Sequence, residues 1–337
     1  MLQIENYTPF AADRAVLLDK HGTKVWVVVV KGTFRIEADG RCVLHEQQEP
    51  VVRVPLYTAQ PGLSTMLREN ELVVDHPGTT VTLNASAYAP PGREVQTMMV
   101  GVEAGPIKKY LHVAGDRWWV RSAMRLYITD PAPFDRIPIT WERAFGGSKS
   151  TPESTGLSYD RNPCGTGFGT SARELEGLPL PNIEYPHDAV RNVRSRPAPA
   201  GFSAIPGSWS PRRELGGSFD DEWRASRSPL WPLDSDPRHH LAAPADQVSA
   251  KPFRGGELVV LKNLTPDGIT QLRLPALHFG FDTFFRRGRT SHRAQLDRVI
   301  IEPDVRKLVM VWRTALSCGS DARAVEATTI ETKRVLH

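Results

Sequence analysis

Three adjacent acids, Asp220-Asp221-Glu222, are of a residue type that could do acid–base chemistry. Two carboxylates held close together can act as general acid and base or cleave glycosidic bonds, because each raises the pKa of the other. Adjacent residues, however, usually point their side chains apart. Since Gly216-Gly217-Ser218 precedes the acids and Trp223 follows them, we interpret the segment as a solvated loop or the cap of a helical turn.

Two further groups of residues could in principle be reactive. Cys164 with His187 and Asp188 offers a nucleophile and a base, but the sequence does not bring them together. His239-His240 with Asp236 could bind a metal ion, yet neighbouring histidines on an extended chain face opposite ways and no further ligand is evident. We therefore predict no catalytic residue, no metal and no cofactor, and keep a hydrolase with a carboxylate or Cys/His site in the middle segment as the alternative.

The common nucleotide and hydrolase motifs are missing from the sequence. Gly165-Thr166-Gly167-Phe168-Gly169 superficially resembles a phosphate-binding loop, but Asn162-Pro163-Cys164 precedes it where a strand would be required. A rigid turn is the better interpretation. No P-loop lysine motif, GxSxG elbow or HExxH helix occurs, so these three classes of enzyme lose their usual signature.

Tryptophan and arginine side chains point instead to binding. Trp209 and Arg212 flank Pro211, and a large ring beside a guanidinium group is the composition of interface hot spots. Trp141-Glu142-Arg143 can place a ring in the core while the two charges pair with nearby groups, and the following Gly146-Gly147 permits a turn with positive φ. For both groups, internal packing is the structural alternative.

The elements that must position these residues are strands. Val25 to Val30 is a β-branched run, and residues 81–88 alternate apolar and polar side chains up to the turn at Pro90-Pro91-Gly92. Short apolar runs with turn residues between them also fill the last eighty residues. We predict a mainly β protein with few short helices and two β-sandwich or barrel-like halves, residues 1–145 and 256–337.

Between these halves, residues 146–255 hold fourteen of the 28 prolines and twelve of the 26 glycines, a composition that approaches disorder. Nine aromatic residues argue against disorder, because each can bury about 150–250 Å². They are Tyr159, Phe168, Tyr185, Phe202, Trp209, Phe219, Trp223, Trp231 and Phe253. We predict an ordered irregular segment, called the belt below, and a recognition role for it.

Charge and cysteine content argue against several kinds of partner and site. The net charge of +4 is too small to indicate a nucleic-acid or anionic-membrane partner, and the basic cluster from Arg286 to Arg293 is interpreted as a solvated loop. Three widely spaced cysteines suggest neither zinc nor disulfides. Because no signal peptide or membrane-spanning run is present, we expect a cytoplasmic protein.

An ordered series of short phrases resembles one protein family, the domain-of-unknown-function family 2169. The phrases of the middle third are Trp141-Glu142-Arg143-Ala144-Phe145-Gly146-Gly147, Asn162-Pro163-Cys164-Gly165-Thr166-Gly167-Phe168, Leu180-Pro181-Asn182-Ile183-Glu184, Pro199-Ala200-Gly201-Phe202, Trp209-Ser210-Pro211-Arg212 and Ala243-Pro244-Ala245-Asp246-Gln247. The series continues downstream with Gly255-Gly256-Glu257, Leu274-Pro275 and Leu296-Asp297 through Trp312-Arg313. The resemblance covers nearly the whole chain.

The resemblance implies a bacterial effector adaptor or chaperone of type VI secretion. Such a protein would bind a cognate toxic effector in the cytoplasm and help load it onto the spike protein, with no catalysis and no nucleic-acid or membrane partner. From the phrases and the belt we predict eight partner-contacting residues, each with a structural role as the alternative. They are Trp141, Glu142, Arg143, Asn162, Trp209, Arg212, Trp223 and Trp231.

Overall fold

The fold is described from a computed structural model of the chain, which covers residues 3–123, 125–151, 154–286, 288–318 and 325–333. As predicted, these residues are mainly β. The first thirteen strands are β1 (Gln3–Asn6), β2 (Ala11–Leu18), β3 (Lys24–Ile36), β4 (Cys42–Leu44), β5 (Leu56–Tyr57), β6 (Met66–Arg68), β7 (Thr79–Leu83), β8 (Ser86–Tyr88), β9 (Thr97–Ala104), β10 (Ile107–Ala114), β11 (Trp119–Ser122), β12 (Arg125–Ile128) and β13 (Arg136–Pro138).

The other strands are β14 (Phe145–Gly146), β15 (Ser148–Thr151), β16 (Ser154–Ser158), β17 (Thr166–Gly167), β18 (Ile183–Glu184), β19 (Val248–Ser249), β20 (Leu258–Lys262), β21 (Ile269–Arg273), β22 (His278–Phe285), β23 (Gly288–Arg293), β24 (Gln295–Glu302), β25 (Lys307–Ser317) and β26 (Val325–Lys333). Helical structure in the described ranges is short, as predicted. It comprises α1 (Ala172–Leu175), α2 (Asp221–Ser226) and 3-10 turns at Trp141–Arg143, Arg213–Gly216, Pro237–His240, Ala245–Gln247 and Pro303–Val305.

Strand β3 is at the centre of the hydrophobic core. Its even-numbered residues Trp26, Val28 and Val30 belong to the largest apolar cluster, whereas Val25, Val27 and Val29 belong to a second cluster. Because side chains alternate between the two faces of a strand, both faces of the sheet are covered here. This explains why an uninterrupted valine run, rather than an alternating one, forms β3.

Three sheets enclose the largest cluster. The seven-stranded sheet has the order β19-β7-β24-β25-β3-β2, with β4 beside β3; the five-stranded sheet has the order β18-β10-β9-β20-β21; and the four-stranded sheet has the order β1-β26-β22-β23. The five-stranded sheet contributes Val100, Leu111 and Leu261 to this cluster, and the four-stranded sheet contributes Phe281 and Ile330. The sheets therefore pack around a shared core.

These sheets join chain segments that the sequence divides at residues 145 and 255. In the seven-stranded sheet, β7 from the first segment pairs in parallel with β24 from the last, and antiparallel with β19 from the belt. The long strand β25 pairs with β3 along residues 25–35. The two β-rich ends of the sequence thus supply neighbouring strands of common sheets.

The belt is ordered in its described residues, as its aromatic content predicts. Phe202 and Trp209 are fully buried within it. No helix within the described ranges has the length and apolar composition that crossing a lipid bilayer requires.

Candidate partner-binding site

Two of the predicted tryptophans meet in what we call the tryptophan junction, defined by Trp141, Glu142, Asn162 and Trp209. The indole rings of Trp141 and Trp209 are buried and pack edge to face, with centroids 6.1 Å apart. The Nε1 of Trp141 donates to the carbonyl of Ala204 and the Nε1 of Trp209 to that of Gly62, each at 2.8 Å. Both polar ends are therefore satisfied inside the molecule, which favours the structural role for these two residues.

Glu142 ties the junction to the first third of the chain. Its carboxylate accepts hydrogen bonds from the backbone N–H of Thr65 at 2.8 Å and from the Thr65 hydroxyl at 2.5 Å. The same hydroxyl oxygen accepts the backbone N–H of Trp141 at 2.8 Å. Burial acts to raise the pKa of Glu142, but the hydrogen bonds from Thr65 outweigh it and the pKa is lowered.

Asn162 holds the backbone of the junction in place. It is fully buried, and its Nδ2 donates to the carbonyls of Trp141 at 2.8 Å and Phe145 at 3.1 Å. Gly146 has φ +153°, and a Cβ there would lie 2.1 Å from the carbonyl oxygen of Asn162. A side chain at residue 146 therefore cannot fit, which gives the Gly-Gly pair of the first phrase a structural reason.

Arg143 reaches from the junction towards the end of the five-stranded sheet. Its Nη1 donates to the Oδ1 of Asn182 at 2.9 Å and lies 3.9 Å from a carboxylate oxygen of Asp116. The side chain keeps 39% of its surface exposed. Of the residues in the first phrase, Arg143 is thus more accessible than the buried Trp141.

The three adjacent acids form a helix start, as interpreted from the sequence. Asp220 caps α2 by accepting the backbone N–H of Trp223 at 2.8 Å. Asp221 pairs with Arg224 one turn later at 2.5 Å, and Glu222 is exposed. The carboxylates therefore do not face one another as a catalytic pair.

Cys164, His187 and Asp188 have separate partners in the described part of the chain. The Cys164 thiol donates to the Oδ1 of Asn162 at 3.3 Å, and burial, with a smaller effect of Glu142, raises its pKa to about 12. Asp188 accepts the backbone N–H of Ala198 at 2.8 Å, whereas the ring of His187 packs against a tyrosine. The geometry gives the thiol no base.

A large cleft opens next to the junction, with a cavity volume of about 710 Å³, which is within the usual range for ligand sites. Three stretches distant in sequence line it, residues 16–21, 69–75 and 229–240, together with Tyr57 and Arg212. Two of the predicted binding residues, Arg212 and Trp231, are in this lining. We refer to this site as the cleft.

Arg212 is fixed at the cleft by two hydrogen bonds and an ion pair. Its Nε donates to the carbonyl of His239 at 2.7 Å, and its Nη1 lies 2.6 Å from both the carbonyl of Ile205 and the carboxylate of Glu69. The Nη2 group makes no hydrogen bond to a described residue. The guanidinium group is thus held in place by His239, Ile205 and Glu69, and one of its donor groups has no partner among the described residues.

The histidine pair lies on a 3-10 turn rather than on an extended chain, so the expectation that the two rings face opposite ways was wrong. Both rings pack on Trp231, with centroid distances of 5.2 Å for His239 and 5.6 Å for His240. Burial, and then the nearby His239 and Arg212, lower the pKa of His240 to about 3. The His240 ring is therefore neutral near pH 7 and can both donate and accept a hydrogen bond.

The histidines do not form a metal centre. Asp236 caps its own 3-10 turn and pairs with Arg238 at 2.6 Å. Within the ranges that the structure covers, no three side chains of His, Cys, Asp or Glu come together as metal ligands.

Positive charge lies behind the floor of the cleft. Arg298 is buried, its Nη1 donates to the backbone carbonyl of Glu69 at 3.1 Å, and its Nη2 has no hydrogen-bond partner among the described residues. The neighbouring carboxylates are already paired, Glu71 with Lys31 at 3.0 Å and Asp297 with an arginine of its own at 2.5 Å. Arg298 is thus a cation in excess of the local carboxylates.

Trp223 is at the rim rather than in the lining. Its Nε1 donates to the carbonyl of Leu230 at 2.8 Å, and its ring packs at 4.8 Å on Phe219, which is half exposed.

The basic cluster lies elsewhere, on strand β23, where Arg289 is 3.7 Å from Asp282 and Arg287 is outside the described residues. Residues 288–293 of the cluster form a strand rather than the loop that the sequence suggests.

The family model of uncharacterized proteins conserved in bacteria, DUF2169, matches residues 21–313. The chain belongs to this family. No curated protein and no solved structure matches it. The part matched by DUF2169 contains the whole tryptophan junction and two of the three stretches that line the cleft, whereas Val16 to Lys20 precede it.

Sequence reasoning missed three parts of the cleft: β2, Glu69 and the place of His240 in the lining. A weak signal existed for His240, since the adjacent histidines stand out in the sequence. Glu69 and β2 gave no signal of their own, because only the fold brings them against the belt.

Proposed function

We propose that this chain is an adaptor or chaperone for a toxic effector of bacterial type VI secretion. In this role it binds the effector in the cytoplasm and helps to load it onto the spike protein. The ordered phrases that resemble such adaptors support the proposal, as does the accessible cleft. The cleft is the proposed contact site for one of the two partners.

The observation that carries a binding role is the cleft itself. Aromatic, guanidinium and imidazole groups line it, and the Nη2 of Arg212 makes no hydrogen bond to a described residue. Aromatic and arginine side chains in a preformed cavity are the usual composition of binding hot spots. By contrast, the acids of α2 and the Cys164 thiol are held in a helix cap and in packing, so no specific observation favours the hydrolase alternative.

Co-purification from the native bacterium tests the proposal. We expect the tagged chain, expressed at its natural level, to retain one effector and a spike protein, and deletion of its gene to abolish secretion of that effector alone. Retention of neither protein, together with unchanged effector secretion after the deletion, would refute the adaptor role.

A further inference from the structure

Strand β2 forms an edge of the seven-stranded sheet. The pairing of β2 with β3 continues to Asp19 and Thr23, where the Asp19 N–H donates to the Thr23 carbonyl at 3.0 Å. Since hydrogen-bonded residues alternate along an antiparallel strand, the odd-numbered residues of β2 bond to β3. In an antiparallel pair, the backbone groups of alternate residues point away from the partner strand. The N–H and C=O groups of Ala12, Arg14, Val16 and Leu18 therefore point outward.

The outer edge of β2 is covered in its middle and open at the cleft. Arg14 is covered, because its N–H donates to the side chain of Asp13 and its carbonyl accepts from Arg53 at 3.1 Å. For Val16 and Leu18, no hydrogen bond to the outward backbone groups is formed within the described residues. Both residues line the cleft. Proteins usually block exposed strand edges, so an open stretch inside a cavity is a ready pairing site.

Apolar surface surrounds this open edge. Leu18 keeps 42% of its surface exposed, and Pro55 and Tyr57 from another segment line the same cleft. Exposed apolar side chains around a cavity are typical of a protein contact. A bound strand would cover them.

The charged groups at the cleft floor indicate which charge a bound side chain of the partner would carry. Two guanidinium groups, those of Arg212 and Arg298, act on the single carboxylate of Glu69 and lower its pKa against the effect of burial. Of the other acids in the lining, Asp236 pairs with Arg238 and Asp19 accepts backbone N–H groups of its own turn, whereas Asp75 is exposed at the rim. Two guanidinium groups at one carboxylate, with the Nη2 of Arg212 making no hydrogen bond to a described residue, complement a second carboxylate at the floor.

We propose that the cleft binds an extended segment of the partner protein, which pairs with the open edge of β2 at Val16 and Leu18 and places an acidic side chain against Arg212. Backbone pairing with a sheet edge supplies affinity in this mode of recognition, and the side-chain pockets supply specificity. The inference rests on the proposed adaptor function and assigns the cleft to the effector.

Proline substitutions along β2 test the pairing, with the effector retained by the unmodified chain as the probe. Val16→Pro removes an outward N–H inside the cleft, and Ala12→Pro removes one on the same strand outside the lining. We expect Val16→Pro to weaken effector binding about tenfold or more, the value of one hydrogen bond with its steric consequences, and Ala12→Pro to change it less than about twofold. Equal effects of the two variants would overturn the pairing.

Substitutions of opposite charge at Leu18 test whether the bound segment carries an acidic side chain. Because Leu18 is exposed, they also keep the cleft proposal testable if Val16→Pro does not fold. Leu18→Asp and Leu18→Lys remove the same apolar contact. We expect the aspartate variant to bind the effector about tenfold more weakly than the lysine variant at low salt, with the difference shrinking as salt rises. Equal binding by both variants would overturn the acidic partner.

The two proposals fail in different ways. If the unmodified chain holds effector and spike protein while none of the four variants differs from it, the cleft inference falls and the adaptor function stands. If the unmodified chain holds neither protein, both fall.

Discussion

The tryptophan junction and the cleft are neighbouring regions, and the belt contributes residues to both, Trp209 to the junction and Arg212 to the cleft lining. In the junction, the indole N–H groups, the amide of Asn162 and the carboxylate of Glu142 all have internal partners. In the cleft, the Nη2 of Arg212 and the outward backbone groups of Val16 and Leu18 have none among the described residues. The belt thus supplies a tryptophan with a satisfied N–H group to one region and, to the other, an arginine whose Nη2 group has no described partner.

This difference suggests a structural role for the junction and a binding role for the cleft. A buried polar group without a partner costs free energy, so a satisfied cluster is the expected result of selection for stability. Open donors next to an apolar cavity gain nothing for the free fold and become useful only when a ligand supplies the acceptors. Substitutions in the junction should therefore change stability, and substitutions in the cleft should change binding.

The largest expected effect is that of Trp209→Ala on stability. Removing a fully buried indole leaves a cavity and an unpaired carbonyl at Gly62, which should cost about 3–5 kcal/mol of unfolding free energy. Trp223→Ala, at the rim, is the matched control and should cost less than about 1.5 kcal/mol. Urea unfolding followed by circular dichroism measures both values; equal losses would erase the contrast between the regions.

Asn162→Asp should come next. The substitution places a carboxylate oxygen against the carbonyls of Trp141 and Phe145, where the amide now donates, and we expect a loss of about 2–3 kcal/mol. Asn192→Asp provides the control, because the exposed Asn192 uses only its acceptor oxygen, towards the N–H of Arg194, and should change stability by less than about 0.5 kcal/mol. Thermal unfolding of the two variants would show whether the junction depends on this amide.

Glu142→Gln should have a smaller effect that depends on pH. Because the folded-state pKa of Glu142 is below its ordinary value of 4.5, its stabilisation is present above that value and is lost as the pH falls through the folded pKa. We expect the unmodified chain to exceed the variant by about 1 kcal/mol at pH 7 and the gap to narrow below about pH 4.5. Urea midpoints between pH 3 and 7 measure the gap, and a constant gap would contradict the hydrogen-bonded carboxylate.

Cys164→Ala should have the smallest effect. The thiol has a raised pKa and a single weak hydrogen bond, to Asn162, so we expect a loss near 1 kcal/mol or less and unchanged effector delivery. A secretion assay in the native bacterium measures delivery. Complete loss of delivery by a folded variant would instead revive the hydrolase alternative.

Local features of this fold were readable from the sequence. Asp220 caps α2 through the N–H group three residues later, and the β-branched run from Val25 to Val30 predicted strand β3. Local hydrogen bonding and side-chain alternation decide these features, and both are visible within a short window of sequence.

The sites were not readable in the same way. Trp141 meets Trp209 across 67 intervening residues, and the cleft needs β2, Glu69 and His240 at once. Such contacts depend on which strands pair, for example β7 with β24, and a chain's alternation does not specify its long-range partners. The tryptophan and arginine content therefore predicted packing or binding roles in the belt. It did not predict which of these residues pack in the core and which line the cleft.

Hydrogen–deuterium exchange of the purified effector complex, compared with the free chain, tests this division of roles most directly. Our account predicts that binding slows exchange in the three stretches that line the cleft, residues 16–21, 69–75 and 229–240, and leaves residues 141–147 and 162–168 of the junction phrases unchanged. Slowed exchange at another surface, with the cleft unaffected, would contradict it.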